Sequence, residues 1–148
     1  MSLEPYYLKV ENTIQSLGVD PVLCRNDSAG QWTLTKGSAT VWIDVFPAAN
    51  NSGYLGYLRI MAKLSDIPST NREAFFQELL EISYDLYGVA ITKFEQTIYV
   101  KMIRELEGID ESEILASFNR VGYYTDKYDD ELKNKYFPAT PHQPGEPG

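Results

Sequence analysis

The chain is short of the residues that carry covalent and metal chemistry. It has one cysteine, Cys24, and one histidine, His142, in 148 residues. One cysteine excludes an intrachain disulfide and Cys/His zinc spacings. A Ser-His or Cys-His nucleophile would need His142 to dock back from the Pro/Gly-rich end of the chain. Hydrophobic runs are also short: none exceeds three residues, whereas a membrane helix needs about 20 largely apolar positions. The start, Met1-Ser2-Leu3-Glu4-Pro5, has neither the basic nor the apolar region of an export signal, so the expectation is a soluble, cytoplasmic protein. Cations are outnumbered: 13 Lys and Arg against 21 Asp and Glu leave a net charge of −8, which repels nucleic-acid phosphate and anionic membrane surfaces. Phosphate-binding glycine loops are missing too. Gly53-Tyr54-Leu55-Gly56 stops short of a dinucleotide fingerprint, and Lys36-Gly37-Ser38 reverses the order a phosphate loop requires.

Apolar material is plentiful by contrast, with 43% hydrophobic and 13% aromatic residues. That composition supports a packed core, and the length suits a single domain. The domain is expected over residues 1–137. The remainder, 138–148, is dominated by Pro, Gly and polar residues and is expected to be a disordered tail. Cys24, within Pro21-Val22-Leu23-Cys24, reads as a buried, reduced thiol. Asn26-Asp27-Ser28 and Asn50-Asn51-Ser52 read as loop markers, because these side chains bond their own backbone.

Periodicity orders the elements. Leu3, Tyr7, Val10, Ile14 and Leu17 recur at helical spacing and predict a helix over 3–17, stopped by Gly18. Residues 21–25 form a short candidate strand. Trp32 and Leu34 then alternate with polar residues, and Val41, Ile43 and Val45 alternate with Trp42, Asp44 and Phe46. Leu58, Ile60, Ala62 and Leu64 alternate with Leu55, Tyr57, Arg59, Met61 and Lys63, predicting strands with one face in the core. Thr70 with Glu73 forms a capping box opening a second helix, with the stripe Phe75, Leu79, Ile82 and Leu86 widened by Phe76 and Leu80 and ended by Gly88. Two strands around the Glu95-Gln96 turn make a hairpin. Asp110 with Glu113 forms a second capping box for a long helix on Ile114, Phe118, Val121, Thr125, Tyr128 and Leu132. At about 1.5 Å per residue that helix nears 40 Å, so its far end must overhang or meet something. Gly122 inside it signals either a kink or, as the favoured reading, the close approach of another backbone.

The expected fold is therefore α+β: an antiparallel sheet with helices packed on it, in the order α-β-β-β-β-α-β-β-α. Three stretches carry a resemblance to a known family: Met61-Ala62-Lys63-Leu64-Ser65-Asp66-Ile67-Pro68, then Asn71-Arg72-Glu73-Ala74-Phe75-Phe76-Gln77-Glu78-Leu79-Leu80, then Asp126-Lys127-Tyr128-Asp129-Asp130-Glu131-Leu132. With the order of elements, they resemble the YbjN-type family of bacterial sensory transduction regulators and, more distantly, the small acidic chaperones of type III secretion. The resemblance implies a secretion-chaperone-like fold and a non-enzymatic domain that binds other proteins, often as a homodimer. It implies no catalytic residues, cofactor or metal.

The residues themselves leave a few candidate sites. Asp126, Asp129, Asp130 and Glu131 form the densest acidic cluster, but Lys127, Lys133 and Lys135 stand at i, i+4 from acids and predict a solvated, charge-laced helix face. Asp44, with apolar neighbours in sequence, is the acid to watch for acid-base chemistry, and an outward strand position explains it more simply. The second face of the sheet is more informative. There Trp42, Phe46, Leu55, Tyr57 and Met61 either lie under a helix or form a protein-binding patch. The functional expectation is a protein-binding homodimer with an unidentified protein partner. Its alternatives are a small-ligand or enzyme domain with a pocket between sheet and helices, and a structural subunit of a larger assembly.

Overall fold

A computed structural model describes residues 2–49 and 53–138. The order is α1 (Glu4–Ser16), α2 (Pro21–Cys24), β1 (Gln31–Lys36), β2 (Ala39–Pro47), β3 (Gly56–Asp66), α3 (Arg72–Tyr84), β4 (Ala90–Phe94), β5 (Thr97–Glu105) and α4 (Glu111–Tyr136). The five strands form one sheet in the order β1-β2-β3-β5-β4, every pair antiparallel. The α+β class holds, with one element changed: the expected first strand is helical.

That change is local. Residues 21–25 were expected to be extended, yet Pro21–Cys24 makes one helical turn, with the Asp20 carboxylate accepting the Val22 N–H at 3.0 Å. An Asp before a Pro suits an N-cap followed by the first helical position, where the fixed φ of proline helps and its missing N–H costs nothing. Only Arg25 keeps strand character, in an isolated antiparallel bridge to Trp32.

Helix α1 carries Pro5 in its first turn and ends where Gly18, at φ 82°, donates to Gln15 O at 2.9 Å. Val10, Thr13 and Ile14 are its buried face. Helix α3 corrects the expected capping box. Asn71, not Thr70, is its N-cap, in the left-handed region at φ 56° and with no side-chain cap bond. The helix thus begins one residue late for Glu73 to reach back as a box requires, and asparagine tolerates that backbone. Its end also comes early: Asp85 caps it, leaving Leu86 and Gly88 beyond the helix.

Helix α4 runs 26 residues. The Asp110 carboxylate accepts the Glu113 N–H at 2.8 Å, but the Glu113 side chain turns away to pair with Arg104, so only half the expected capping box forms. Ile114, Phe118, Val121, Thr125 and Leu132 are buried as the stripe predicted. They lie against Val41, Ile43, Leu58, Ile60 and Val100 on the inner face of the sheet. The far end of α4 meets α3: Tyr136 stacks edge-on with Phe75 at 5.0 Å, and its hydroxyl donates to Glu78 at 2.7 Å. Lys135 also pairs with Glu78, at 2.7 Å, rather than with Glu131.

Gly122 explains itself at the middle of α4. A Cβ there would stand 2.3 Å from Lys36 Cγ and 2.6 Å from Lys36 Cβ, so the end of β1 crosses the helix where only hydrogen fits. One turn further, Asp126 accepts the Ser38 N–H at 3.0 Å and its hydroxyl at 2.5 Å, and Asp129 shares that hydroxyl. The acidic cluster is therefore partly a clamp on the β1–β2 turn rather than only a solvated face. The hydrogen bonds from Ser38 hold the Asp126 carboxyl below its usual range. The expectations for the tail and His142 fall outside the described residues, Pro138 excepted.

Candidate protein-binding surfaces

Period-two alternation sends one half of each strand into the core and the other half to the opposite face. Helices cover only the first half. On the outer face, register aligns Thr33, Trp42, Met61, Lys101 and Ala90 in one row across all five strands. The adjacent row holds Gln31, Asp44, Arg59 and Ile103.

Of the five residues expected on this face, Trp42, Phe46, Tyr57 and Met61 project from it, all half-buried. Leu55 does not sit in the strand. It precedes β3, where its N–H donates to the Glu107 carboxylate and its carbonyl accepts from Ala48. The four that remain are not one contiguous cluster. Trp42 meets Tyr99 edge-on at 6.4 Å, whereas Phe46 stacks on Tyr57 at 5.7 Å and carries the Arg59 guanidinium 5.1 Å above its ring. Arg59 also bonds Asp44 at 3.2 Å. Asp44 thus faces a cation rather than a second carboxylate, which is not the arrangement of a paired-acid catalyst. A groove of about 570 Å³ crosses the face from Trp42 and Asp44 to Phe94.

A second surface escaped the sequence reading. Tyr84 is 90% exposed and Leu80 75%, and Tyr87 is exposed just beyond the helix. Phe76, Leu79, Leu80, Ile91 and Ile98 line a groove of about 210 Å³ between α3 and β4. Of the residues expected to widen the core stripe, Phe76 packs half-buried against the core while Leu80 is exposed, because α3 lies at the β4 side of the sheet and turns Phe75 and Leu79 inward. A signal was available: Phe75, Phe76, Leu79, Leu80 and Ile82 subtend more than one helix face, more than a single contact can cover. β4 is also an edge strand. The opposite edge, β1, is shielded where Asn26 N–H bonds Gln31 O at 2.9 Å and Arg25 bridges Trp32.

A further groove of about 420 Å³, between the sheet and the helices, is bounded by Leu17, Val19, Cys24, Leu34 and Phe118. Burial, and then the negative charges of Asp20 and Glu11, push the Cys24 thiol up. It therefore stays protonated and inert, as its sequence context predicted. Nearby, Glu11 joins α1 to β1: Arg25 donates two bonds to it at 2.7 Å, and the buried Trp32 indole N–H donates a third at 2.9 Å. The Arg25 bonds chiefly hold the Glu11 carboxyl below its usual range, against the opposing effect of burial. Among the described residues, no group of three His, Cys, Asp or Glu side chains is placed to hold a metal ion, and no helix is long and apolar enough to cross a membrane.

No family model and no curated protein matches the chain. Solved structures do. A chain of the HopA1–SchA chaperone–effector complex superposes with a TM-score of 0.60 at 9% identity, covering 84% of this chain and 93% of that one. A chain of the heterodimeric ExoU–SpcU complex from the type III secretion system of Pseudomonas aeruginosa gives 0.58 at 10% identity, covering 87% and 98%. A chain of the ExoT–SpcS complex from the same organism gives 0.52 at 11% identity, covering 84% and 97%. The fold is the one found in these secretion complexes.

Proposed function

We propose that this chain is a non-enzymatic, chaperone-like or regulatory domain that binds protein in the cytoplasm and pairs with a second copy of itself. The observation that carries the reading is a sheet clothed by helices on one face only, leaving Trp42, Phe46, Tyr57 and Met61 half-buried on the other. Rings with polar tips and a flexible thioether suit a surface that is wet when free and dry when bound. The fold shared with chains of chaperone–effector complexes supports the same class of role. The exposed Leu80, Tyr84 and Tyr87, on and just after α3 beside the β4 edge, are the better candidate for pairing of two copies. An edge strand invites another strand, and a twofold operation lets one patch cover itself.

The test has two arms. Light scattering at micromolar concentration should give twice the 16.8 kDa chain mass, and the double variant Leu80→Asp/Tyr84→Asp should return it to the single mass. A wild-type species at 16.8 kDa removes the pairing claim. Affinity purification from the native cells should recover a partner protein that Trp42→Asp/Met61→Asp loses while its melting curve stays cooperative. Retention of the same partner by that variant would reject the outer face as the binding surface.

A further inference from the structure

After α4 the sequence acquires a period of three. Pro138, Pro141, Pro144 and Pro147 stand at every third position, and Thr140, Gln143 and Glu146 precede the last three of them in step. Proline holds its own φ at about −65° and pushes the residue before it out of the helical region. Repeated every third residue, it favours the polyproline II helix, whose three-residue turn sets all four rings on one edge and the polar side chains on another. A one-sided segment of this kind suits an apolar groove with aromatic walls. Helix α3 offers such a surface. Phe76, Leu80 and Tyr84 stand at i, i+4 and i+8 on one face, the first half-buried and the others exposed, with Tyr87 exposed just beyond. The apolar groove between α3 and β4 runs alongside. The two features lie close together. Tyr136, in the last turn of α4, has the Phe75 ring at 5.0 Å, and Phe75 has the Phe76 ring at 5.5 Å, so the proline segment starts two rings away from the stripe.

We propose that residues 138–147 dock as a polyproline II helix along the Phe76–Leu80–Tyr84 stripe of their own chain and so compete with a second copy for that surface. The docking goes beyond the protein-binding reading, whereas the competition rests on the pairing part of it. Length agrees. One turn from Pro138 to Pro141 covers about 9 Å, and Pro138 to Pro147 covers roughly 28 Å. The helix from Phe76 to Tyr84 is about 12 Å long, so Pro141 falls at Phe76, Pro144 between Leu80 and Tyr84, and Pro147 beside Tyr87. Side also agrees. The segment leaves from the helical layer, whereas Trp42 and Phe46 stand on the opposite face of the sheet, so the α3 stripe is the nearer of the two apolar surfaces. Covalent attachment makes the encounter intramolecular, and a preformed polyproline backbone has little freedom left to lose on docking.

The test uses the full chain, with Cys24→Ala so that Gln143→Cys carries the only thiol, labelled with bimane. Tryptophan quenches this dye on contact. Leu80→Trp places a quencher on the stripe, and Leu23→Trp places one on α2, another exposed position. Cooperative thermal unfolding confirms that each variant is folded. At nanomolar concentration the Leu80→Trp chain should be quenched and the Leu23→Trp chain should not. Adding Pro141→Ser/Pro144→Ser should remove at least about half of the quenching, because serine gives up both the preset backbone and the ring contact. Equal quenching at the two positions, or quenching indifferent to the serine substitutions, overturns the docking. Quenching that grows with protein concentration overturns it in favour of a segment reaching a second chain. The competition has its own readout. With Leu80 intact and the dye absent, Pro141→Ser/Pro144→Ser should tighten pairing roughly threefold to tenfold on dilution, since more of the chain then has the stripe free. Unchanged pairing overturns the competition. Absence of pairing in the wild-type chain rejects the pairing reading, while the quenching alone decides the docking.

Discussion

The two faces of the sheet are built from the same strands and do opposite work. On the inner face Val41, Leu58, Ile60, Ala62 and Val100 have lost essentially all contact with water beneath α4. One residue away along each strand, Trp42, Tyr57, Arg59, Met61 and Lys101 keep part of their surface wet and interact in pairs rather than as a packed layer. The contrast separates the face that stabilises the fold from the face proposed to bind protein. Apolar area removed from water contributes about 25 cal/mol per Å² to folding, and the inner face has used it. The outer face retains apolar area that no described helix buries.

The largest test of that contrast is a pair of truncations. Leu58→Ala leaves a cavity under α4 and should cost about 2–5 kcal/mol. Met61→Ala, three positions along the same strand, should cost less than about 1 kcal/mol, because its side chain is only partly enclosed. Urea unfolding measures both, and equal losses would show that the outer face is structural.

Next in size is Glu11→Ala. It strands the indole N–H of Trp32, a residue only 2% exposed, and should cost about 1–3 kcal/mol. The same variant should flatten the acid limb of the stability curve. The folded pKa of Glu11 lies below its unfolded value, so its contribution is fully present above the unfolded pKa and is lost as pH falls through the folded one. A wild-type acid limb in the variant would show that the Arg25 bonds do not persist in solution.

Smaller again is Gly122→Ala. The added methyl meets the root of the Lys36 side chain, and the strain of overpacking exceeds the helix-propensity gain of about 1 kcal/mol. A net loss near 1 kcal/mol is expected. A gain in melting temperature would show that β1 moves away from α4 without penalty. Last comes Asp126→Asn, which weakens the grip on Ser38 at a fully exposed site. It should lower stability slightly at neutral pH and not at all below the carboxylate range, the depressed-pKa sign again, read from melting temperatures across pH.

Much of this molecule was legible in the chain. Alternation placed Val41, Ile43, Val45, Leu58, Ile60 and Leu64 inward, and the four-three rhythm identified the buried stripe of α4. Positive φ at Gly37 and Glu95 falls in the turns expected between strands. The errors are as local as the signals. Asp20-Pro21 was a capping signal overridden by a short apolar run, and Asn71 displaced Thr70 because a left-handed N-cap was not foreseen. Leu55 was carried into β3 by extending an alternation one residue too far.

The candidate surfaces were legible only in outline. Composition and period by themselves determined the α+β class and which side chains share each strand face, because each of these depends on neighbours within a few residues. Tertiary structure alone decided that α4 covers one face while no described helix covers the other, that α3 leans on β4 and leaves Leu80 and Tyr84 outside, and that Arg59 meets Asp44 and Phe46 on the outer face. The physical reason is distance along the chain. Lys101 lies opposite Met61 and Lys36 against Gly122, contacts made by residues 40 or more positions apart. No local period encodes such contacts; they follow from sheet order and helix placement.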